Sequence, residues 1–200
     1  MSPSPSKGDH TRNRLVEAGA AIARIEGLDG LTIGNLAAAA GMSKSGVFAH
    51  FGSREDLQLD ILERASEAFA DQVFRPAFRE RRGLPRFRAV FRQWLAFLGG
   101  MGDAGGCILM AAASEFDDKP GPVRERVQAN QRQMRGEIER CVQMAVDAGE
   151  LRADSDVAQI AFETFALVLG SHHDLRLFGA DEVIPRAERA FDALLQRHYP

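Results

Sequence analysis

The fold of this chain is decided by the stretch from Leu31 to Leu57, which reads LTIGNLAAAAGMSKSGVFAHFGSREDL. It predicts two short helices joined by a tight turn, because Thr32 and Ser43 are residue types that cap helix starts. A glycine between the two segments supplies the left-handed conformation that ends a helix. In the second helix, Val47 and Phe51 lie four positions apart and therefore point back toward the first helix.

The opposite side of the second helix is small and polar. At about 3.6 residues per turn, this side presents Ser45, Gly46, Ala49 and His50, with Lys44 at its edge. A slim helix face next to a cation fits the major groove of DNA. The stretch therefore predicts a helix-turn-helix that binds duplex DNA, and the alternative is an ordinary hairpin inside an all-α core.

The same stretch resembles the helix-turn-helix of the TetR family of transcriptional regulators. The matching residues run from Thr32 to Phe51 and include the capping, glycine and apolar positions in order. Residues 53–57 resemble the start of the family's fourth helix, and residues 11–18 resemble its first helix. Beyond these segments, the chain agrees with the family in being helical and of suitable length.

The resemblance implies an all-α fold of about nine helices. We expect a disordered N-terminal arm over residues 1–10, a three-helix DNA-binding domain over residues 11–52, and a helical ligand-binding and dimerisation domain over residues 53–200. Within the last domain, Pro76 is expected to stop or kink the helix that begins near Ser53.

Composition restricts the function classes. The 200 residues carry a net charge of -3, so attraction to DNA must come from the placement of cations rather than from bulk charge. The two cysteines, Cys107 and Cys141, imply no disulfide framework, and no apolar run approaches the length of a membrane span. These features predict a folded cytoplasmic protein. The spacing of the residues shows no Ser/His/Asp or paired-carboxylate arrangement of the kind that catalysis uses. We therefore expect a regulator that is not an enzyme and needs no cofactor.

The resemblance also implies two sets of DNA contacts. The residues that would face the bases are Lys44, Ser45, Gly46 and Ala49. The residues that would hold phosphates are Thr32, Ser43, His50 and Arg54. Phe48 stands where the family often has Tyr, so a phosphate-binding hydroxyl is missing, and Gly34 offers no side chain where some relatives read a base. Base preference is therefore expected to depend more on Lys44 and on DNA shape.

The resemblance further implies a homodimer with a small-molecule cavity among the body helices. The expected lining consists of aromatic and sulfur side chains that pack adaptably: Phe91, Trp94, Cys107, Met110, Met134 and Phe165. The residues expected at the dimer seam or in the core directly beneath it are Phe162, Phe165, Leu169, Phe191 and Leu194. Such a regulator would repress from a near-palindromic operator and be released by an apolar or amphipathic effector.

Cys107 offers an alternative way of sensing. It follows a glycine at an expected helix N-terminus, where the helix dipole favours a thiolate. The same DNA-binding head could then serve a redox- or electrophile-sensing regulator, whereas the simpler interpretation is a buried structural cysteine.

Two other motifs favour ordinary interpretations. The adjacent His172 and His173 have no His, Cys, Asp or Glu three or four positions later, so surface or interface histidines are expected rather than a metal site. The segment from Arg75 to Arg92 contains seven arginines and indicates a solvated helix face, with a second nucleic-acid patch as the alternative.

Overall fold

The computed structural model describes residues 7–200, without the side chains of Lys7 and Asp103. Its α-helices are α1 (Lys7–Glu26), α2 (Ile33–Ala40), α3 (Lys44–Phe51), α4 (Arg54–Phe69), α5 (Arg75–Ala77), α6 (Leu84–Gly99), α7 (Ile108–Glu115), α8 (Pro122–Asp147), α9 (Val157–Phe178) and α10 (Ala180–Gln196). A π-helix (Ala70–Phe74) joins α4 to α5, and a 3-10 turn (Gly102–Ala104) precedes α7.

The described residues contain helices and no strand, which confirms the all-α prediction. Because α4, the π-helix and α5 follow one another without a break, these residues form nine helical rods, as the sequence led us to expect. The helix ends at Ala77, one residue after Pro76, close to the stop or kink expected at this proline. A π-helix ends at Phe74, two residues before this proline, and both features are known causes of helix kinks.

Helix α1 begins at Lys7, earlier than the sequence suggested. The last four positions of the expected arm, residues 7–10, are therefore helical rather than disordered. Asp9 lies in the first turn, where a negative charge stabilises the helix N-terminus. The rest of the expected arm, residues 1–6, lies outside the described residues.

Internal contacts divide the chain into two compact units. The first, called here the head unit, contains the described residues up to 66 together with residues 104–129. The second, called the body unit, contains residues 67–103 and 130–200. The expected domain boundary between residues 52 and 53 stays a prediction.

The core of the head unit is built from the inward faces of its first four helices. Leu15 of α1, Leu36 of α2, Val47 of α3 and Leu57 of α4 are each at most 2% exposed. A hairpin of α2 and α3 alone cannot remove this much apolar surface from water. The flanking helices α1 and α4 therefore hold the hairpin in place.

The segment that leads into α7 packs against the end of α1. The backbone N–H of Gly106 donates to the carbonyl oxygen of Arg24 at 2.9 Å. Gly105 has a φ of +104°, and a Cβ at this position would collide with the Arg24 carbonyl. Glycine is therefore required at position 105 both by conformation and by space.

The core of the body unit is aromatic. The Phe91 ring of α6 stacks on the Phe191 ring of α10 with centroids 4.0 Å apart, and Phe87 meets the same ring edge-on at 5.2 Å. Helices α9 and α10 are separated by one residue, Gly179, and pack against each other and against α6.

Glycine substitutions test the contact between the α7 segment and α1. Gly105→Ala is expected to lower the free energy of unfolding by about 1–3 kcal/mol, because it combines backbone strain with a collision at Arg24. Gly136→Ala is the matched control, since a Cβ there meets no other atom within 4 Å inside α8. The control is expected to raise stability by up to about 1 kcal/mol. Urea unfolding measures both, and equal midpoints for Gly105→Ala and the wild type would contradict the contact.

Candidate nucleic-acid interface

The two helices of the hairpin begin and end as their capping residues predict. Thr32 Oγ1 accepts a hydrogen bond from the Asn35 N–H at 3.0 Å, and the Asn35 side chain accepts one from the Thr32 N–H at 2.8 Å. Gly41 ends α2 in the left-handed region with a φ of +63°. Ser43 Oγ accepts from the Gly46 N–H at 3.1 Å and so caps α3. These local bonds set the angle at which α3 leaves the turn.

Helix α3 separates a buried side from an exposed side. Val47 is fully buried, while the predicted base-facing and flanking positions are exposed or half-buried: Ser43, Lys44, Ser45, Gly46, Phe48, Ala49 and His50. Phe48 is 53% exposed. The head unit thus brings the predicted DNA-contacting residues of α3 onto one accessible surface.

Lys44 lies across Gly34 of the preceding helix. A Cβ on Gly34 would sit 3.3 Å from Cε of Lys44 and 3.6 Å from its Nζ. The missing side chain at position 34 therefore leaves room for the Lys44 side chain along the surface of α2. Sequence reasoning treated Gly34 only as the loss of a base-reading group and missed this relation.

Arg12 links helix α3 to the neighbouring helices α1 and α4. Its guanidinium lies 2.5 Å from Asp60 of α4 and 5.3 Å from the centroid of the Phe51 ring. Its Nε donates to the carbonyl oxygen of His50 at 3.4 Å. The apolar periodicity of α1 gave no signal for this role, because the contacts join residues far apart in sequence.

Arg54, expected to hold phosphate, is engaged inside the head unit. Its Nε donates to the Leu31 carbonyl at 2.7 Å, and its Nη2 donates to the backbone carbonyl and the carboxylate of Asp29. The phosphate role stays a prediction, and the geometry gives Arg54 a second task of bracing the loop between α1 and α2.

Asp29 is the centre of that brace. Besides Arg54, the ammonium of Lys119 lies 2.7 Å from its second carboxylate oxygen, and its own N–H donates to Glu115 at 2.8 Å. We call these four residues the Asp29 clamp. The Lys119 hydrogen bond, with a further contribution from Arg54, holds the pKa of Asp29 below its ordinary value. No sequence motif marks Glu115 for this role, because it lies 86 positions from Asp29.

The predicted ligand-lining residues are all buried. Each of Phe91, Trp94, Cys107, Met110, Met134 and Phe165 is at most 5% exposed. Cys107 and Met110 belong to the head unit, and the other four belong to the body unit. In the body unit the Trp94 ring contacts Phe69 and Phe165, with centroid distances of 4.8 and 6.0 Å.

The predicted seam residues divide into two sets. Phe162 and Leu169 of α9 are 58% and 47% exposed, which leaves them available to a second chain. Phe165, Phe191 and Leu194 are at most 5% exposed within their own chain. This placement is compatible with the expected seam and the core directly beneath it, and their roles stay predictions.

Cys107 occupies the N-cap position of α7 but is only 2% exposed. Burial raises the pKa of its thiol and outweighs the opposing backbone hydrogen bonds and the charge of Arg24. Burial likewise raises the pKa of Cys141 to about 11. Both thiols are therefore protonated and shielded near neutral pH, which disfavours the redox alternative.

Several arginines of the Arg75–Arg92 segment have partners within the body unit. Arg81 pairs with Glu150 at 2.5 Å, and Arg88 bonds both Asp192 and Tyr199. These pairs border an open groove of about 590 Å³ that none of the predicted ligand residues lines. The internal pairing favours a solvated, structured corner over a second nucleic-acid patch.

Two negative findings concern the described residues only. No three His, Cys, Asp or Glu side chains within residues 7–200 are placed to hold a metal ion, and His173 instead lies 3.1 Å from Asp174. Among the helices of the same residues, none combines the length and apolarity needed to cross a membrane.

Two family models match the chain. Residues 15–61 match the model described as Bacterial regulatory proteins, tetR family. Residues 83–191 match the model described as Tetracyclin repressor-like, C-terminal domain. No curated protein matches the chain.

Solved structures share this fold. A TetR transcriptional regulator from Chloroflexus aurantiacus is 28% identical with a TM-score of 0.83, and 95% of this chain and 94% of that chain are covered. A TetR-family transcriptional regulator from Streptomyces coelicolor is 21% identical with a TM-score of 0.82, at 98% and 91% coverage. AibR, solved in complex with isovaleryl coenzyme A and operator DNA, is 20% identical with a TM-score of 0.73, at 94% and 98% coverage.

The pH dependence of stability tests the Asp29 clamp. The folded-state pKa of Asp29 lies below its ordinary value of 3.8, so the carboxylate contributes its full stabilisation above that value and loses it as the pH falls through the lowered pKa. Asp29→Asn should therefore cost about 0.5–1 kcal/mol at neutral pH, because the pairs are partly exposed, and the difference should vanish in acid.

Urea unfolding between neutral and strongly acidic pH measures this difference. Asp118→Asn is the control, since it removes an exposed acid of the same unit and should change stability little at any pH. A constant gap between Asp29→Asn and the wild type across the whole pH range would show that the carboxylate charge is not what holds the loop.

Proposed function

This chain belongs to the TetR family of bacterial regulatory proteins, and we propose that it represses transcription by binding a near-palindromic operator as a homodimer. A small apolar or amphipathic effector releases it from DNA. The observation that carries the proposal is the capped, exposed α3 surface, with Lys44 at its edge. Such a repressor acts in the cytoplasm, where bacterial chromosomal DNA lies.

The α3 surface suits the major groove because it is narrow. Ser45, Gly46 and Ala49 add little bulk, so the helix backbone approaches the base edges closely. Lys44 is the one long donor among the predicted base-facing residues, and a lysine donates well to the acceptors of guanine. The N-termini of α2 and α3 offer backbone N–H groups that favour phosphate.

An exposed apolar stripe on α9 supports the homodimer. Phe162, Ala166, Leu169 and Gly170 follow helical spacing and are all exposed. A Cβ at Gly170 would meet no atom of its own chain within 4 Å, so a second helix has room to approach closely. Two copies of one such stripe form a self-complementary two-fold interface, which matches a palindromic operator.

The buried aromatic cluster supports an apolar effector. The buried Trp94 ring packs against the rings of Phe69 and Phe165, so this part of the body unit is apolar and aromatic. AibR, which shares the fold, was solved with isovaleryl coenzyme A, a molecule that carries a short branched apolar acyl group. An amphipathic effector could bind in the same way, with its apolar part packed among the aromatic side chains.

Lys44→Ala tests the reading of bases. On an operator selected from random duplex DNA by the wild type, the variant is expected to bind about 1–3 kcal/mol more weakly and to discriminate less between matched and mismatched sites. Binding to both sites across a salt series is the measurement. Arg82→Ala, which removes a cation outside the head unit, is the control and should preserve base preference. If Lys44→Ala keeps base preference and only flattens the salt dependence, Lys44 contacts phosphate instead.

Leu169→Glu tests the homodimer. A charge in the centre of the α9 stripe would be desolvated in the interface, so we expect monomers in sedimentation experiments at micromolar concentration. Ile25→Glu is the control, because Ile25 is 71% exposed and lies on α1 instead of α9. A dimer that survives Leu169→Glu would place the subunit interface elsewhere.

A further inference from the structure

Trp94 carries a buried polar group without a partner. The residue is 1% exposed, and its indole Nε1 has no hydrogen-bond acceptor among the residues that the structure describes. A buried donor left without an acceptor loses its hydration and gains nothing in return, which costs about 1–3 kcal/mol. Such groups are rare in folded proteins and call for a physical reason.

The immediate surroundings of the indole are aromatic and offer it no strong acceptor. The Phe69 ring lies edge-on at 4.8 Å, and the Phe165 ring lies at 6.0 Å in a similar tilted arrangement. On Phe165, the exposed Arg135 side chain places its guanidinium 4.2 Å from the ring centroid. The cluster therefore extends from the buried indole to a cation at the surface of the body unit.

A second observation marks the same place. Phe69 is the residue immediately before the π-helix Ala70–Phe74, and α6, which carries Trp94, packs against that π-helix. A π-helical turn is rare and is frequently found at functional sites. The backbone irregularity and the unsatisfied indole thus occur on two helices that contact each other.

We infer that Trp94 Nε1 donates a hydrogen bond to an acceptor oxygen of the effector, so that the effector is an apolar molecule carrying a carbonyl group. This inference rests on the proposed function and narrows its ligand class. The aromatic rings of Phe69 and Phe165 take the hydrocarbon part of the ligand, and the carbonyl oxygen satisfies the indole. A pure hydrocarbon of the same shape would leave the N–H unpaired and bind less well.

The single tryptophan of the chain makes the test direct. A ¹⁵N-labelled sample gives one indole resonance, because Trp94 is the only tryptophan. Acetophenone and ethylbenzene serve as probes, since they match in size and differ in one carbonyl oxygen. Acetophenone is expected to move the indole proton downfield, and ethylbenzene is not. An unchanged resonance with acetophenone, or the same downfield shift with both probes, overturns the inference.

Variants separate the hydrogen bond from general packing. In Trp94→Phe, the ratio of acetophenone affinity to ethylbenzene affinity should fall about 2- to 10-fold, because the donor is lost while an aromatic ring remains. Phe87→Leu truncates another buried ring of α6, which packs on Phe191, and should leave the ratio unchanged. A loss of affinity that is the same for both probes does not change this ratio. An equal ratio in the wild type and Trp94→Phe also overturns the inference.

Operator binding distinguishes this inference from the proposed function. If Trp94→Phe keeps the wild-type ratio while the protein still binds its selected operator, only the hydrogen bond to the ligand is refuted. If the wild type selects no operator from random DNA, the proposed function itself fails.

Discussion

The carboxylate of Asp29, shared between Arg54 and Lys119, is the centre of the bonds that hold the loop leading into the DNA-binding hairpin. It lies three residues before Thr32, the cap that starts α2, so its position sets where the hairpin begins. Glu115 holds the backbone of the same loop through the Asp29 N–H. Each ion pair is partly exposed and contributes about 1 kcal/mol or less. The loop is therefore held by several weak bonds, and no single one of them dominates.

Through the clamp, Glu115 in the last turn of α7 and Lys119 are bonded directly to the loop that leads into the DNA-binding hairpin. Gly105 and Gly106 add a backbone contact between the segment before α7 and the end of α1. Both ends of α7 are thus fastened to the helix that precedes the hairpin and to its loop. A displacement of α7 by an ångström would have to break or remake these bonds. The free energy of breaking them is of the same order as the coupling free energy between two sites in allosteric proteins, about 1–3 kcal/mol.

Local features of this architecture could be predicted from the sequence, and distant contacts could not. Thr32, Gly41 and Ser43 act on residues three or four positions away, so their roles are legible in the sequence and confirmed in the structure. The Asp29 clamp joins residues up to 90 positions apart, and no periodicity marks it. On α9, the near-continuous apolarity could not separate exposed Phe162 from buried Phe165. The DNA, dimer and ligand roles of the named residues stay predictions.

The position of Lys44 across Gly34 has a consequence for how such a regulator acquires new targets. Because the two residues share one small space, a Cβ at position 34 would lie 3.3 Å from Cε of Lys44, and the lysine side chain would have to shift by a few tenths of an ångström. If Lys44 contacts a base as proposed, base preference would depend on both residues. Under the same proposal, a new operator preference would be reached by changing positions 34 and 44 together, because the residue at one position sets the space open to the other.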